Sequence, residues 1–366
     1  MSIGLTQDTL FAMVTADIIP PAVFQQHWAL LLFFAAVAIG VLVLGADRAV
    51  MAAVRMARAI GMSTVIIGAT VVSLGTTSPE AFVSVTAAIK GKGGMALGNG
   101  VGSIICDTGL IFGLCCCLGR LPKDRFILRR HGWLQLGAGV LLAAVLFVLV
   151  WINGGFVGVV IPRIVGVLFL VLLCGYMWIS VVWTRQHPTQ LSDHKNKAVA
   201  GASRSPSVIT RSLAELAIGL ALVLVGSDLL IGSVEELAVR CSVPRSILAV
   251  TLVAFGTSLP ELVTGITSIA KGHPELLIGN VIGADILNVL FVIGASATAV
   301  PLSVSVEFYY LHIPVMLLSL VMLRTFIWAK GPEFRRSQGI WLVATFLGYY
   351  AIMLTLVLLG YLQYSH

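Results

Sequence analysis

The chain has 366 residues, of which 58% are hydrophobic and 11% charged, with a mean hydropathy of +1.01. A soluble globule carries about 25% charged residues, so these figures exclude one and indicate a polytopic membrane protein whose surroundings are a lipid bilayer. The net charge of +7 and pI near 9.3 do not imply a nucleic-acid partner, because basic residues in such a protein mark the loops on its cytoplasmic side.

Residues 1–27 read as a short lead without the basic start and apolar core of a signal peptide. Apolar runs long enough to cross ~30 Å of hydrocarbon follow near 28–50, 63–90, 95–118, 133–152, 159–183, 212–234, 245–270, 275–298, 308–329 and 339–362. The expected fold class is therefore all-α, with ten transmembrane helices. One polar stretch, residues 184–211, is rich in Ser, Lys, His and Asn. It divides the helices five and five, into a first repeat (28–183) and a second (212–366). The cysteines at 106, 115, 116, 117 and 174 lie in apolar runs, lack the paired spacing of a zinc site, and read as small packing residues. His312, the one histidine inside a predicted span, reads as a hydrogen-bonded packing residue.

The halves are related by duplication. Val72-Ser73-Leu74-Gly75-Thr76-Thr77-Ser78-Pro79-Glu80 is echoed by Val253-Ala254-Phe255-Gly256-Thr257-Ser258-Leu259-Pro260-Glu261. Glu80 to Glu261, Asn99 to Asn280 and Gly102 to Gly283 are each 181 positions apart, and the same offset pairs Asp47 with Asp228. A repeat of five spans leaves its twin upside down in the membrane. Inverted repeats with interrupted polar helices at matching positions are the architecture of secondary transporters. With the N-terminus outside, the inward loops collect the Arg120–Arg130 cluster, the basic residues of the linker and Lys330–Arg336; the outward loops hold Lys90, Lys92, Arg163, Arg240 and Arg245. Both termini are expected outside the cytoplasm.

The repeated stretches carry hard oxygen donors. Pro79 has no amide hydrogen, so the carbonyl of Gly75 loses its helical partner, and Pro260 does the same to Gly256. Freed backbone at membrane depth persists where it faces protein or a watery cavity. Beside it stand the hydroxyls of Ser73, Thr76, Thr77, Ser78, Thr257 and Ser258 and the carboxylates of Glu80 and Glu261. Calcium takes six to eight such oxygens at about 2.3–2.6 Å in irregular geometry, and sodium is similarly hard. On the next helix Asn99, Ser103 and Asp107 recur every fourth residue and share a stripe, with Gly98, Gly102 and Cys106 beside it; the twin offers Asn280, Ala284 and Asn288, with Asp285 at the border. Glu80, Asp107, Glu261 and Asp285 cost on the order of 10 kcal/mol if they face lipid, which favours ligand roles for the glutamates and Asp107. Asp285 reads equally as a ligand or a structural group, and for Asp47 and Asp228 a structural hydrogen bond weighs at least as much as a ligand role.

With Gly75-Thr76-Thr77-Ser78-Pro79-Glu80 and Gly98-Asn99-Gly100-Val101-Gly102-Ser103, matched by Gly256-Thr257-Ser258-Leu259-Pro260-Glu261 and Gly279-Asn280-Val281-Ile282-Gly283, the chain resembles the sodium/calcium exchangers of the calcium/cation antiporter superfamily, above all their short prokaryotic members. The resemblance implies exchange of calcium for sodium by alternating access in a bacterial inner membrane. It implies no cofactor and no enzyme activity, the ions being cargo. By position it makes Glu80 and Glu261 the central calcium ligands and Thr76 and Thr257 backbone and hydroxyl ligands. Thr77, Ser258 and Ser103 match sodium-site hydroxyls, and Ser73 and Ala254 match residues that lend carbonyls. The chain departs from the family at Ala284, where a serine is usual, and at Asp107 and Asn288, where acid and amide have changed places. The lost hydroxyl keeps a second expectation open, a proton-coupled calcium/cation antiporter, since a buried carboxylate can trade a proton for a metal.

Overall fold

The computed structural model describes residues 28–60, 63–123, 125–186, 206–240 and 256–359. The described residues are almost wholly helical, as they must be where no water is available to hydrogen-bond an exposed backbone. Helix α1 (Trp28–Ile60) is followed by α2 (Thr64–Thr76) and α3 (Ser78–Ile89), which meet at 42° at a break of one residue and together make one bent span. Then come α4 (Gly93–Leu118), α5 (Arg125–Asn153), α6 (Arg163–Gln186), α7 (Pro206–Arg240), the short apolar α8 (Leu259–Ala270), α9 (Pro274–Ala299), α10 (Phe308–Trp328) and α11 (Arg336–Leu358). Eight of these helices are long and apolar enough to cross a bilayer, or nine spans with the bent pair counted as one. The first half of the predicted span 245–270, including Ala254, lies outside the described residues. Several helices outrun their apolar cores: α5 opens at Arg125 rather than near 133, and α7 at Pro206 rather than near 212. Long basic side chains let a helix continue past the hydrocarbon edge while their charges stay in the headgroup layer. The earlier start of α5 also puts His131, which the predicted spans left out, inside a helix and fully buried.

The duplication is visible in local structure. Helices α3 and α8 have the same length and start 181 residues apart, each with proline in its first turn. Each ends in a glycine at positive φ, Gly91 and Gly272, one residue after Lys90 and Lys271. There the amides of Lys92 and His273 reach back to the carbonyls of Ala87 and Ser268, closing the same helix stop. Helices α4 and α9 both widen into π-helical turns, Cys106–Phe112 and Asn288–Ile293, before a last α-helical turn. The loops correspond too. β1 (Val160–Ile161) pairs antiparallel with β2 (Leu302–Ser303), and Pro122, 181 residues from Ser303, bridges to Glu333.

Packing divides the described helices into two bodies. Helices α4, α5, α6, α9, α10 and α11 share the main apolar core, anchored by Phe112, Leu142, Phe169 and Leu342. Helix α2 joins this body backbone to backbone. A Cβ on Gly68 would lie 2.5 Å from the Leu276 carbonyl oxygen, one on Gly283 2.5 Å from that of Ala69, and one on Gly279 would overlap the Val65 carbonyl. The second body is the antiparallel pair α1 and α7, packed through Gly45, Gly219 and Gly226 with small apolar clusters of its own. It meets the first body along α8, where Lys271 forms an ion pair with Asp47, and through a buried apolar cluster in which Ala49, Ala53 and Leu216 pack with Ile67 and Val72 of α2 and Leu276 of α9. The ion pair fixes a structural partner for Asp47.

Because the Val65 carbonyl belongs to the main chain and cannot swing aside, Gly279→Ala is expected to lower stability by about 1–3 kcal/mol or more. The thermal midpoint of the detergent-solubilised protein reads this. Gly137→Ala on α5, with nothing within 4 Å of the new methyl, should leave the midpoint unchanged or raise it slightly.

Candidate cation site

The break between α2 and α3 follows from its residues. Pro79 cannot donate to the carbonyl four residues before it, Thr77 leaves regular helical geometry, and the Ser78 hydroxyl takes the Leu74 carbonyl at 2.5 Å. Glu80 then sits in the first turn of α3 and is 1% exposed; Glu261, in the first turn of α8, is likewise 1% exposed. Further back in α2, the π-helical turn Gly68–Val72 leaves the Ala69 carbonyl to be capped by the Tyr176 hydroxyl of α6 at 2.7 Å.

Reciprocal hydrogen bonds cross between the repeats. The Thr76 hydroxyl donates to Asn280 Oδ1 at 3.2 Å, and at the matching position the Thr257 hydroxyl donates to Asn99 Oδ1 at 3.3 Å. Thr77 donates to Glu261 Oε1 at 3.3 Å, so a side chain at one break holds the glutamate of the other repeat. The amide nitrogen of Asn99 donates to Ser84 Oγ at 2.9 Å and to the Glu80 carbonyl at 3.3 Å, and that of Asn280 to the Thr264 hydroxyl at 3.4 Å. Ser73 lies at the tight α2–α9 contact, its hydroxyl on the Thr70 carbonyl at 3.3 Å.

These bonds satisfy the frame and leave the ends of the acids free. Among the described residues, buried side-chain atoms with no hydrogen-bond partner in the protein include Glu80 Oε2, Glu261 Oε2, both carboxylate oxygens of Asp107, Asp285 Oδ1, the hydroxyls of Ser103 and Ser258, and both amide atoms of Asn288. Native structures rarely leave buried polar atoms unpaired, and a concentration of them needs an explanation. The acids also repel one another: Glu80 lies within Coulombic reach of Glu261 and Asp107, and Asp107 of Glu261 and Asp285. A hard cation answers both problems, replacing the missing donors and screening the repulsion. Among the described residues no three His, Cys, Asp or Glu side chains converge as a metal cluster.

Asp285 differs from the other acids. Its Oδ2 accepts hydrogen bonds from Thr108 on α4 and from Gln135 on α5, the latter at 2.5 Å. Neither partner was singled out from the sequence, although a glutamine in the middle of apolar α5 is the kind of intramembrane polar residue that asks for a partner. Ser84 and Thr264, the supports of the two asparagines, lie one helical turn beyond Glu80 and Glu261, on the faces those acids define. His312 behaves as the sequence suggests, its ring nitrogen 2.8 Å from the Tyr349 hydroxyl.

Replacing Gln135 with leucine leaves the buried carboxylate of Asp285 with Thr108 as its remaining donor. A loss of about 1–3 kcal/mol is expected, read by denaturation, with the double variant Gln135→Leu, Asp285→Leu recovering part of it.

Most of the chain also matches known proteins. The profile of the family described as "Sodium/calcium exchanger protein" matches residues 29–182 and 211–359, once in each half. The inner membrane protein YrbG of Escherichia coli (strain K12) is 30% identical over 311 residues, covering 85% of this chain and 93% of its own length. The sodium/calcium exchanger MaX1 of Methanosarcina acetivorans is 29% identical over 338 residues, covering 85% and 95%. Among solved structures, the sodium-calcium exchanger NCX_Mj, soaked with Na+ and Ca2+, superimposes with a TM-score of 0.71 at 28% identity over 88% of this chain and 98% of that one. Two matches of one family profile spanning most of the chain, on a multi-pass helical frame, place this protein in the sodium/calcium exchanger family, whose members are transporters.

Proposed function

We propose that the protein exchanges calcium for sodium across the membrane by alternating access, on a frame of ten helices arranged as two inverted five-helix repeats. The observation that carries this reading is the pair of buried, unpartnered oxygens on Glu80 and Glu261, each acid in the first turn of a helix that opens with proline at the matching position, with the Thr77 hydroxyl reaching across to Glu261. Relatives whose names specify sodium and calcium support the choice of ions. In this reading Glu80 and Glu261 are the calcium ligands, with carbonyl or hydroxyl oxygens of Ser73, Thr76, Ala254 and Thr257. Sodium ions use the same acids with Thr77, Ser258, Ser103, Asp107 and Asn288, while Asp285 lends its free oxygen or holds the wall. Calcium and sodium compete because they share oxygens and repel each other. A site with two or more bare carboxylates is too charged to cross the closed state, so the empty carrier does not return.

The two bodies of the fold supply the moving parts. The α1–α7 pair, joined through glycines and small side chains, slides past the body that holds the ions, opening the site first to one side and then to the other. Residues 28–183 and 212–366 form the repeats, and the stretch 184–211 joins them on the cytoplasmic face, with both termini outside. Coupling to protons in place of sodium is a second reading; Ala284 favours it, since it supplies no hydroxyl to a second-repeat sodium site.

Reconstituted vesicles loaded with sodium test the proposal. Outward sodium gradients should drive calcium uptake. Glu80→Gln or Glu261→Gln should each lower it on the order of 100-fold, the scale of breaking a buried charge pair. Uptake that persists in both variants defeats the proposal. Uptake driven by a pH gradient without sodium selects the proton reading.

A further inference from the structure

Away from the cation site, Arg324 near the end of α10 is a buried charge with no hydrogen-bond partner among the described residues. The residue is 5% exposed, and its Nε, Nη1 and Nη2 atoms are all buried without an acceptor. A guanidinium does not lose its proton in proteins, so a full positive charge remains there. It is held between two indoles, with its centre 4.2 Å from the ring of Trp133 on α5 and 5.3 Å from that of Trp328 on α10; the rings stand at 90° with centroids 6.2 Å apart. Gly132 makes room for it: a Cβ there would come within 3.4 Å of Arg324 Nη1. Arg129, one turn before Trp133, lies over Trp328 at 5.7 Å. Among the described residues, none of the ion pairs supplies a carboxylate to Arg129 or Arg324.

The ring faces attract the charge but offer no lone pairs to the five N–H donors of the guanidinium. We propose that this notch between α5 and α10 binds the phosphodiester of an anionic phospholipid, with Arg129 and Arg324 as its cations and Trp133 and Trp328 as its walls. The notch lies at the start of α5 and the end of α10, in the layer where tryptophans anchor to headgroups. There, basic pockets between transmembrane helices accept anionic lipids. Trp133 is 53% exposed and Trp328 60%, so turning one indole uncovers the Arg324 donors without moving a helix. The exposed indoles also favour a lipid over free phosphate, because they meet the glyceride portion beside the charged group. Guanidinium is the cation whose planar fork matches phosphate oxygens.

Native mass spectrometry of the full chain in detergent, titrated with phosphatidylglycerol or phosphatidylcholine, tests the site. The expected result is one phosphatidylglycerol retained per chain in preference to phosphatidylcholine. Arg129→Gln, at an exposed position that leaves the fold intact, should weaken that retention about fivefold. Arg324→Gln should remove the preference, and excess inorganic phosphate should leave the lipid in place. Equal retention of the two lipids, or retention unchanged by Arg129→Gln, overturns the proposal. Displacement of the lipid by millimolar phosphate overturns the lipid assignment in favour of a free anion.

Discussion

Buried carboxylate oxygens that no donor reaches are the constraint on which this structure turns. Each acid inside the hydrocarbon costs about 2.5–3.5 kcal/mol on insertion scales, and placing several within Coulombic reach of one another adds repulsion. The protein contains this cost by crossing the repeats. Thr77 of the first break holds Glu261 of the second, and the Thr76–Asn280 and Thr257–Asn99 pairs fasten each break to the partner repeat. Around the breaks, what the frame leaves unsatisfied includes one oxygen of each glutamate, both oxygens of Asp107 and the hydroxyls of Ser103 and Ser258. A site of that kind prefers a cation and discriminates by charge and size, which is what an exchanger of hard ions requires.

The same crossing explains the glycines. Oxygens from α2 and α9 converge because the two backbones touch at Gly68, Gly279 and Gly283. Any side chain there separates the helices and pulls Thr76 away from Asn280. Glycine does a different job between α1 and α7. There it joins two helices into a unit that stands outside the main core and meets α2 and α9 through a separate, smaller apolar cluster.

Much of this was legible in the sequence because the duplication repeats chemistry as well as hydropathy. The offset of 181 residues places Glu80 opposite Glu261 and Asn99 opposite Asn280 without any coordinates, and proline before each acid marks the breaks. Other features were not legible, for physical reasons. The asparagines read as a polar stripe; that they tie the threonines of the other repeat depends on which helices face each other, which residue spacing along one helix does not reveal. Gln135 acquires its role through Asp285, 150 residues away, and the setting of Arg324 depends on Trp133, which folding brings to it from α5. Helix ends also moved outward, since hydropathy marks the hydrocarbon boundary while hydrogen bonding carries α5 and α7 into the basic headgroup layer.

The most direct measurement is anomalous diffraction from crystals soaked in strontium, an electron-rich substitute for calcium. The account predicts a single strong central peak at calcium-like distances, about 2.3–2.6 Å, from carboxylate oxygens of both Glu80 and Glu261. A peak held by one of these acids alone, or by neither, contradicts it.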